Sequence, residues 1–264
     1  MTTQPQPAPL PPARPPIAHH HEFAEMIQSL MIILVIATFV TTFLVQPHRI
    51  PSGSMEPTLL VGDFVLVTKN SYTPVNLSLL PHASLHRGEI IVFLKPGEPD
   101  THLVKRIIGL PGDRIHLHNG HVFVNDAPLA EPYAVYRPLL GTTYRDEFPT
   151  FADQDASILP GWHAQLRSLT LNGNLVVPPR MYFVLGDNRN DSLDSRYWGL
   201  VPDANILGTP WLVYFSLRST DPDDPLPFGF SAINADARPR SLTNRALTSI
   251  ANFARWDRCL HLVQ

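Results

Sequence analysis

Cysteine occurs once in 264 residues, at Cys259, so no intrachain disulfide can form and no Cys-x-x-Cys metal site exists. Blocks of like charge are missing as well. The 20 basic residues are scattered among 23 acidic ones, with a formal net charge of -3, which removes the electrostatic footprint of a nucleic-acid binder. No nucleic-acid partner is expected. Twelve histidines could suggest a metal, but His19, His20 and His21 cluster near the N-terminus and the others are dispersed without ligand spacing. Neither a metal nor a cofactor is expected. No repeat of solenoid period is present. A 44% hydrophobic content is nonetheless ample for a globular core.

Charge is absent altogether from residues 26–47, MIQSLMIILVIATFVTTFLVQP. About 20 apolar residues span a bilayer, so one transmembrane helix is predicted over 26–46. Its Ser and Thr residues are tolerable there because hydroxyls can bond back to helix carbonyls. No small-x-small cleavage site follows, and the run leads straight into Gln46-Pro47-His48, so the segment reads as an uncleaved anchor rather than a removed leader. Residues 1–25 are rich in proline and poor in large apolar side chains, which predicts a disordered tail. Arg14 against Glu22 and Glu25 leaves little positive-inside signal to orient the span.

Beyond Ser54 the apolar stretches are short, rich in Val, Ile and Phe, and punctuated by Gly and Pro, which is strand patterning. Strands are predicted at 61–67, 89–94, 104–108, 114–118, 121–125, 181–185 and 206–216. The Asn119-Gly120 pair between alternating runs predicts a hairpin with a two-residue type I′ turn. The expected fold is mainly β: an antiparallel, partly closed, barrel-like domain over 47–264, with a less regular inserted subdomain at about 130–180.

Three stretches carry more polar chemistry than packing requires: Pro51-Ser52-Gly53-Ser54-Met55, Lys105-Arg106-Ile107-Ile108-Gly109-Leu110-Pro111-Gly112-Asp113, and the Asp/Asn/Arg/Ser-rich run from Gly186 to Arg196. A serine in a loop is ordinarily a turn residue, and becomes a nucleophile only with a base beside it. Lysine can serve as that base when an apolar pocket makes its charge costly. Lys105 lies between Leu103-Val104 and Ile107-Ile108, where strand alternation can turn its side chain inward. On extended backbone Ser52 and Ser54 would face the same side, with Gly53 allowing close approach of a substrate chain. The 186–196 run lacks the Gly and terminal Glu of a calcium loop and reads as an orienting polar network.

In this order, behind an N-terminal anchor, the three stretches resemble the bacterial type I signal peptidases, or leader peptidases, which are Ser/Lys proteases. The resemblance covers the anchor and most of residues 46–130 and 178–216, with a weaker echo in FARWDRCLHLV. It implies Ser54 as nucleophile, Lys105 as general base, Ser52 as oxyanion donor with the Ser54 N–H, and Ser192 as the residue orienting Lys105. Asp194 and Arg196 would form a supporting ion pair, and Ile50, Pro51, Met55, Leu59 and Val104 would line pockets for small side chains. Two departures are visible: Asn190-Asp191 reverses the family's usual order, and Thr209-Pro210 follows Gly208 where relatives carry lysine. Neither lies in the dyad.

The implied activity is removal of N-terminal signal peptides from exported preproteins with Ala-x-Ala-like sites, through an acyl-enzyme. The implied setting is the inner (cytoplasmic) membrane and its lipid bilayer, crossed once. The N-terminus would be cytoplasmic, with the catalytic domain on the extracytoplasmic, periplasmic side. A monomer is expected. Two other readings stay open: a specialised processing peptidase of narrow substrate range, and a catalytically silent, membrane-anchored binding domain.

Overall fold

The computed structural model describes residues 19–69, 84–136, 146–151, 157–218 and 253–263. Residues 1–18 of the expected tail, and 137–145 and 152–156 of the expected insertion, lie outside them. The chain divides into two units, Met1–Phe43 and Leu44–Gln264.

The first unit holds helix α1 (His19–Phe39), which runs on into a π-helical turn, Val40–Leu44. The stretch Phe23–Leu44 is long and apolar enough to cross a membrane. Its hydroxyls bond back along the helix as expected, Ser29 to the Glu25 carbonyl and Thr41 to that of Ala37, both at 2.9 Å. The boundaries differ from those expected. The helix starts at His19, inside the predicted tail, because no proline follows Pro16 until Pro47.

The second unit begins with strand β1 (Val45–Arg49), two residues of which had been assigned to the membrane helix. Pro47 cannot donate to a ladder, and β1 is accordingly an edge strand, paired only with β2 (Asp63–Thr68) among the described residues. Strands β3 (Ile90–Lys95) and β4 (Glu98–Gly109) follow as a hairpin. Then come β5 (Arg114–His118), β6 (His121–Val124), the short β7 (Ala127–Pro128), helix α2 (Pro160–Leu169), β8 (Thr170–Leu171) and β9 (Asn174–Val176). The chain continues through β10 (Met181–Leu185), a short helix α3 (Ser195–Trp198), β11 (Val201–Pro202), β12 (Ile206–Ser216) and β13 (His261–Leu262).

These form two antiparallel sheets. The larger runs β1-β2-β12-β3-β4-β10-β11 with β13 on β12, and the smaller runs β7-β6-β5-β9-β8. The expected antiparallel β architecture is present, but the path does not return on itself, so the sheet is not a closed barrel. The smaller sheet also redraws the insertion. The hairpin of β5 and β6, which turns on Asn119 and Gly120 at positive φ, pairs with β9, so the irregular region shares one sheet with residues 114–124.

Strand β3 shows why the core is continuous. Its side chains alternate faces: Ile90 and Val92 pack with Ile50, Met55, Leu59 and Val65, whereas Ile91 and Phe93 pack with Ile107, Val184 and Ile206. A third cluster joins Ile108 and Phe183 of the larger sheet to Ile115, Leu175 and the α2 face of Trp162 and Leu166.

The fold closes through one carboxylate. Asp63 is fully buried at the head of β2, where it accepts from Leu60 N–H at 2.9 Å and Ser216 Oγ at 2.6 Å. It also accepts from Arg258 Nη2 at 2.6 Å, with Arg255 Nη1 at 3.7 Å. Removing one member of such a group leaves buried charge uncompensated, at a cost of about 3–5 kcal/mol. Asp63→Ala should therefore lower stability by about that much, read as a fall in denaturant midpoint with little change of slope.

Candidate active site

Ser52, Ser54 and Lys105 line one cleft of about 300 Å³, whose walls are residues 48–52 and 102–105. The chain leaves β1 through Ile50 and Pro51, stays extended at Ser52 (φ -134°, ψ 152°), and then tightens into a 3₁₀ turn, Gly53–Met55. The extended run expected from Ser52 to Ser54 is thus broken at Gly53. The two hydroxyls still lie together, with their Oγ atoms 3.5 Å apart. A side chain at Gly53 would press on the Glu56 carboxyl group, its Cβ 3.2 Å from Cδ, so Glu56 is the neighbour that the missing Cβ accommodates.

Lys105 arrives from β4, paired across from Ile91 of β3. It is 3% exposed and Ser54 8%, and Lys105 Nζ donates to Ser54 Oγ at 2.6 Å. Burial pushes the Lys105 ammonium down from its ordinary 10.5 to about 8, against the opposing pull of Asp194 and Asp187. About a tenth of this amine is therefore neutral at pH 7, far more than for an ordinary lysine, beside a hydroxyl whose proton it can take.

The loop after β10 encloses the pair. Arg196 grips Asp194 through Nε at 2.8 Å and Nη2 at 2.9 Å, and Gly186 N–H adds a third bond to that carboxylate at 3.2 Å. Burial pushes the Asp194 carboxyl up, but the Arg196 charge and hydrogen bonds outweigh it and hold the group below the usual carboxylate range. Gly186 passes so close that a Cβ there would collide with Ser192 Oγ and the Ser54 carbonyl. Ser192 is therefore next to the Ser54 turn, and its buried hydroxyl is close enough to the Asp194 carboxylate to help hold that charge. The expected bond from Ser192 to Lys105 is not formed.

Of the pocket residues named from the sequence, Ile50, Pro51, Met55 and Val104 line the cleft. Leu59 does not: it is fully buried in the cluster with Met55 and Val65, beneath the cleft rather than in its wall. Sequence reasoning missed His48, Arg49, Val92, His102 and Leu103 in the lining. The two histidines sit on strands far apart in the chain, with rings 5.6 Å apart edge to face. Burial first, then His102 and Lys69, keeps His48 below the usual imidazole range.

A second buried pair also went unassigned. Arg106 grips Asp187 through Nε at 2.9 Å and Nη2 at 2.7 Å, and its guanidinium lies 3.9 Å over the Tyr133 ring. Thr58 Oγ1 donates to the same carboxylate at 2.6 Å. The residue after Lys105 thus ties the loop to the segment that follows Ser54. Among the described residues no cluster of His, Cys, Asp and Glu could hold a metal ion.

The chain is similar to known proteins over most of its length. The family model described as "Signal peptidase, peptidase S26" matches residues 23–215. A signal peptidase I of Pseudomonas aeruginosa is 36% identical over 207 residues, covering 72% of this chain and 71% of that protein. Its counterpart in Pseudomonas fluorescens is 34% identical over the same shares of each chain. The signal peptidase I of Aquifex aeolicus is 33% identical over 237 residues, covering 77% of this chain and 89% of that protein. The chain therefore belongs to the signal peptidase family, peptidase S26, and is a serine peptidase, a hydrolase of peptide bonds.

Proposed function

We propose that the protein is a membrane-bound endopeptidase that removes N-terminal signal peptides from exported preproteins, with Ser54 as nucleophile and Lys105 as general base. The observation that carries the proposal is the 2.6 Å contact between Lys105 Nζ and Ser54 Oγ, two side chains that are both almost wholly buried.

Neutral Lys105 takes the Ser54 proton as Oγ bonds to the scissile carbonyl carbon. The carbonyl electrons move onto oxygen, and the Ser54 N–H and Ser52 hydroxyl receive the oxyanion. As the intermediate collapses, the C–N bond breaks and the Lys105 ammonium gives its proton to the departing amine of the mature protein. Water then attacks the remaining ester. Lys105 accepts a proton from that water and passes it to Ser54 Oγ as the ester C–O bond breaks, and the signal peptide leaves with a new carboxyl group that ionises. Asp194 and Arg196 support the loop, and Ser192, beside Ser54 and the Asp194 carboxylate, orients Lys105. A catalytically silent binding domain has no need of a buried amine held against a hydroxyl.

The substrate lies extended along the 102–105 edge, where main-chain pairing gives affinity without reading sequence. Ile50, Pro51, Met55 and Val104 leave room for small side chains, which fits Ala-x-Ala-like sites. Phe23–Leu44 serves as the single membrane span, with the N-terminus cytoplasmic and the second unit on the extracytoplasmic side. The protein acts as a monomer.

Detergent-solubilised protein should cut a preprotein whose signal ends in Ala-x-Ala. Lys105→Ala should cost about 10²–10⁴ in kcat, and Ser54→Ala should reduce cutting to background; equal cutting by either variant would sink the mechanism. The pH profile of kcat/KM should follow the amine, falling tenfold per unit below about 8 and levelling above it. A flat profile down to pH 6 in folded protein would exclude a lysine base.

Stability should also rise with pH, over a higher window. The folded-state value near 8 lies below the ordinary 10.5, so burying Lys105 costs stability wherever the unfolded chain would be protonated, whether the folded amine has lost its proton or carries a desolvated charge. The cost is absent above about pH 10.5 and complete below about 8, where it amounts to about 3 kcal/mol. Lys105→Met should therefore raise the denaturant-derived stability by up to that amount at pH 6 and bring little gain at pH 10.5.

A further inference from the structure

Asn188 lies in the same loop as Asp187 and Ser192 and has no part in the scheme above. Its side-chain Nδ2 donates to the Gly53 carbonyl at 3.3 Å, and its backbone N–H donates to the Ser54 carbonyl at 3.1 Å. One residue thus ties the peptide units on both sides of Ser54. The amide orientation follows from chemistry: only the NH₂ end can face a carbonyl.

The Gly53 carbonyl matters because it shares a planar peptide with the Ser54 N–H. In a trans peptide the two bonds point in opposite directions, so whatever fixes the carbonyl fixes the aim of the N–H. The cis peptide bonds of the chain are at Glu56-Pro57 and Phe148-Pro149, so the Gly53-Ser54 bond is trans. The turn bond from Glu56 N–H, at 3.0 Å, uses one lone pair of this carbonyl and leaves the other for Asn188.

Asn188 is itself rigidly mounted. On one side Asp187 is gripped by Arg106 and Thr58; on the other Arg189 holds Glu131 with Nη1 at 2.8 Å. Asp187 O also accepts from Val135 N–H at 2.8 Å, and Arg189 N–H donates to Val135 O at 2.9 Å, so the backbone is braced on both flanks. The Asn188 Oδ1 atom is buried with no hydrogen-bond partner, which leaves the bond to Gly53 as the visible task of this side chain.

We propose that Asn188 is a positioning residue that aims the Ser54 N–H at the oxyanion of the tetrahedral intermediate. The inference rests on the reading of Ser54 as nucleophile and adds to it the element that sets the oxyanion donor's direction. A donor lost outright from such a hole costs about 10²–10³ in rate. A donor left in place but less firmly aimed costs less, and about tenfold is expected.

The test compares wild type, Asn188→Ala and the isosteric Asn188→Asp on an Ala-x-Ala peptide. It also measures binding of the matching peptide aldehyde, which adds to Ser54 as a tetrahedral mimic, and of an uncleavable peptide with proline after the cut site. In both variants kcat should fall about tenfold and aldehyde affinity should fall in step. KM, affinity for the proline peptide and the pH midpoint of kcat/KM should hold within about twofold. A purely structural role would move all of these together. Aldehyde affinity that stays at the wild-type level, or losses shared equally by aldehyde and proline peptide, would overturn the proposal. Should Asn188→Ala fail to fold, the Asp variant decides alone. Should Ser54→Ala cut as well as wild type, the nucleophile assignment falls and this inference with it.

Discussion

Everything around the cleft answers to one electrostatic difficulty: an amine held in a dry pocket against a hydroxyl. Water would stabilise the charged form of Lys105 and end its ability to accept a proton, so the surroundings must exclude water without leaving polar groups stranded. Strands β3 and β4 provide the exclusion. Ile91 faces Lys105 in register, and Ile90 and Val92 fill the opposite face, so the amine emerges from strands packed on both sides. The negative charges nearby, Asp194 and Asp187, pull the other way and would restore the ammonium if left free. Each is occupied by its own arginine.

Those arginines show how buried charge is used here. Buried ion pairs are poor sources of stability, because desolvation consumes much of the attraction. Their geometry is nonetheless demanding, since a guanidinium fork meets a carboxylate in few orientations. Arg106 with Asp187 and Arg189 with Glu131 each join segments that the sheets alone would leave loose, and Arg196 with Asp194 fixes the loop locally. The loop over residues 186–196 contains little regular structure, yet Asp187, Arg189, Asp194 and Arg196 are almost wholly buried, leaving only Asp191 of its charged residues exposed. Its order comes from pairing rather than from a ladder.

Much of this is legible from residue patterns, and the gaps have physical reasons. The strands at 114–118, 181–185 and 206–216 coincide with those expected because alternation and flanking turn residues marked their limits. Strand β1 was hidden by the apolar run before it, which gives no hint of where helix yields to strand. Helix α2 opens on Pro160-Gly161, a pair that reads as a turn, and its apolar face of Trp162 and Leu166 is short. In the cleft, alternation correctly turned Lys105 inward, but nothing local could say that Leu59 points below the cleft or that His48 meets His102 across it. Contacts between strands distant in sequence depend on sheet order, and sheet order is not written in local periodicity. The neighbourhood of Ser54 and Lys105 was accessible only through resemblance, since 51 residues separate them.

The buried carboxylate of Asp63 has a meaning in time as well as in space. Its partner Arg258 lies 195 residues further along the chain and also caps the Thr58 carbonyl, in the turn that follows Ser54. Synthesis is vectorial, so that turn emerges from the ribosome long before the residue that locks it. The hydroxyl, the amine and their loop can all be made while the brace beneath them is still missing. The last firm contact to the segment after Ser54 forms only when the far end of the chain comes back to it.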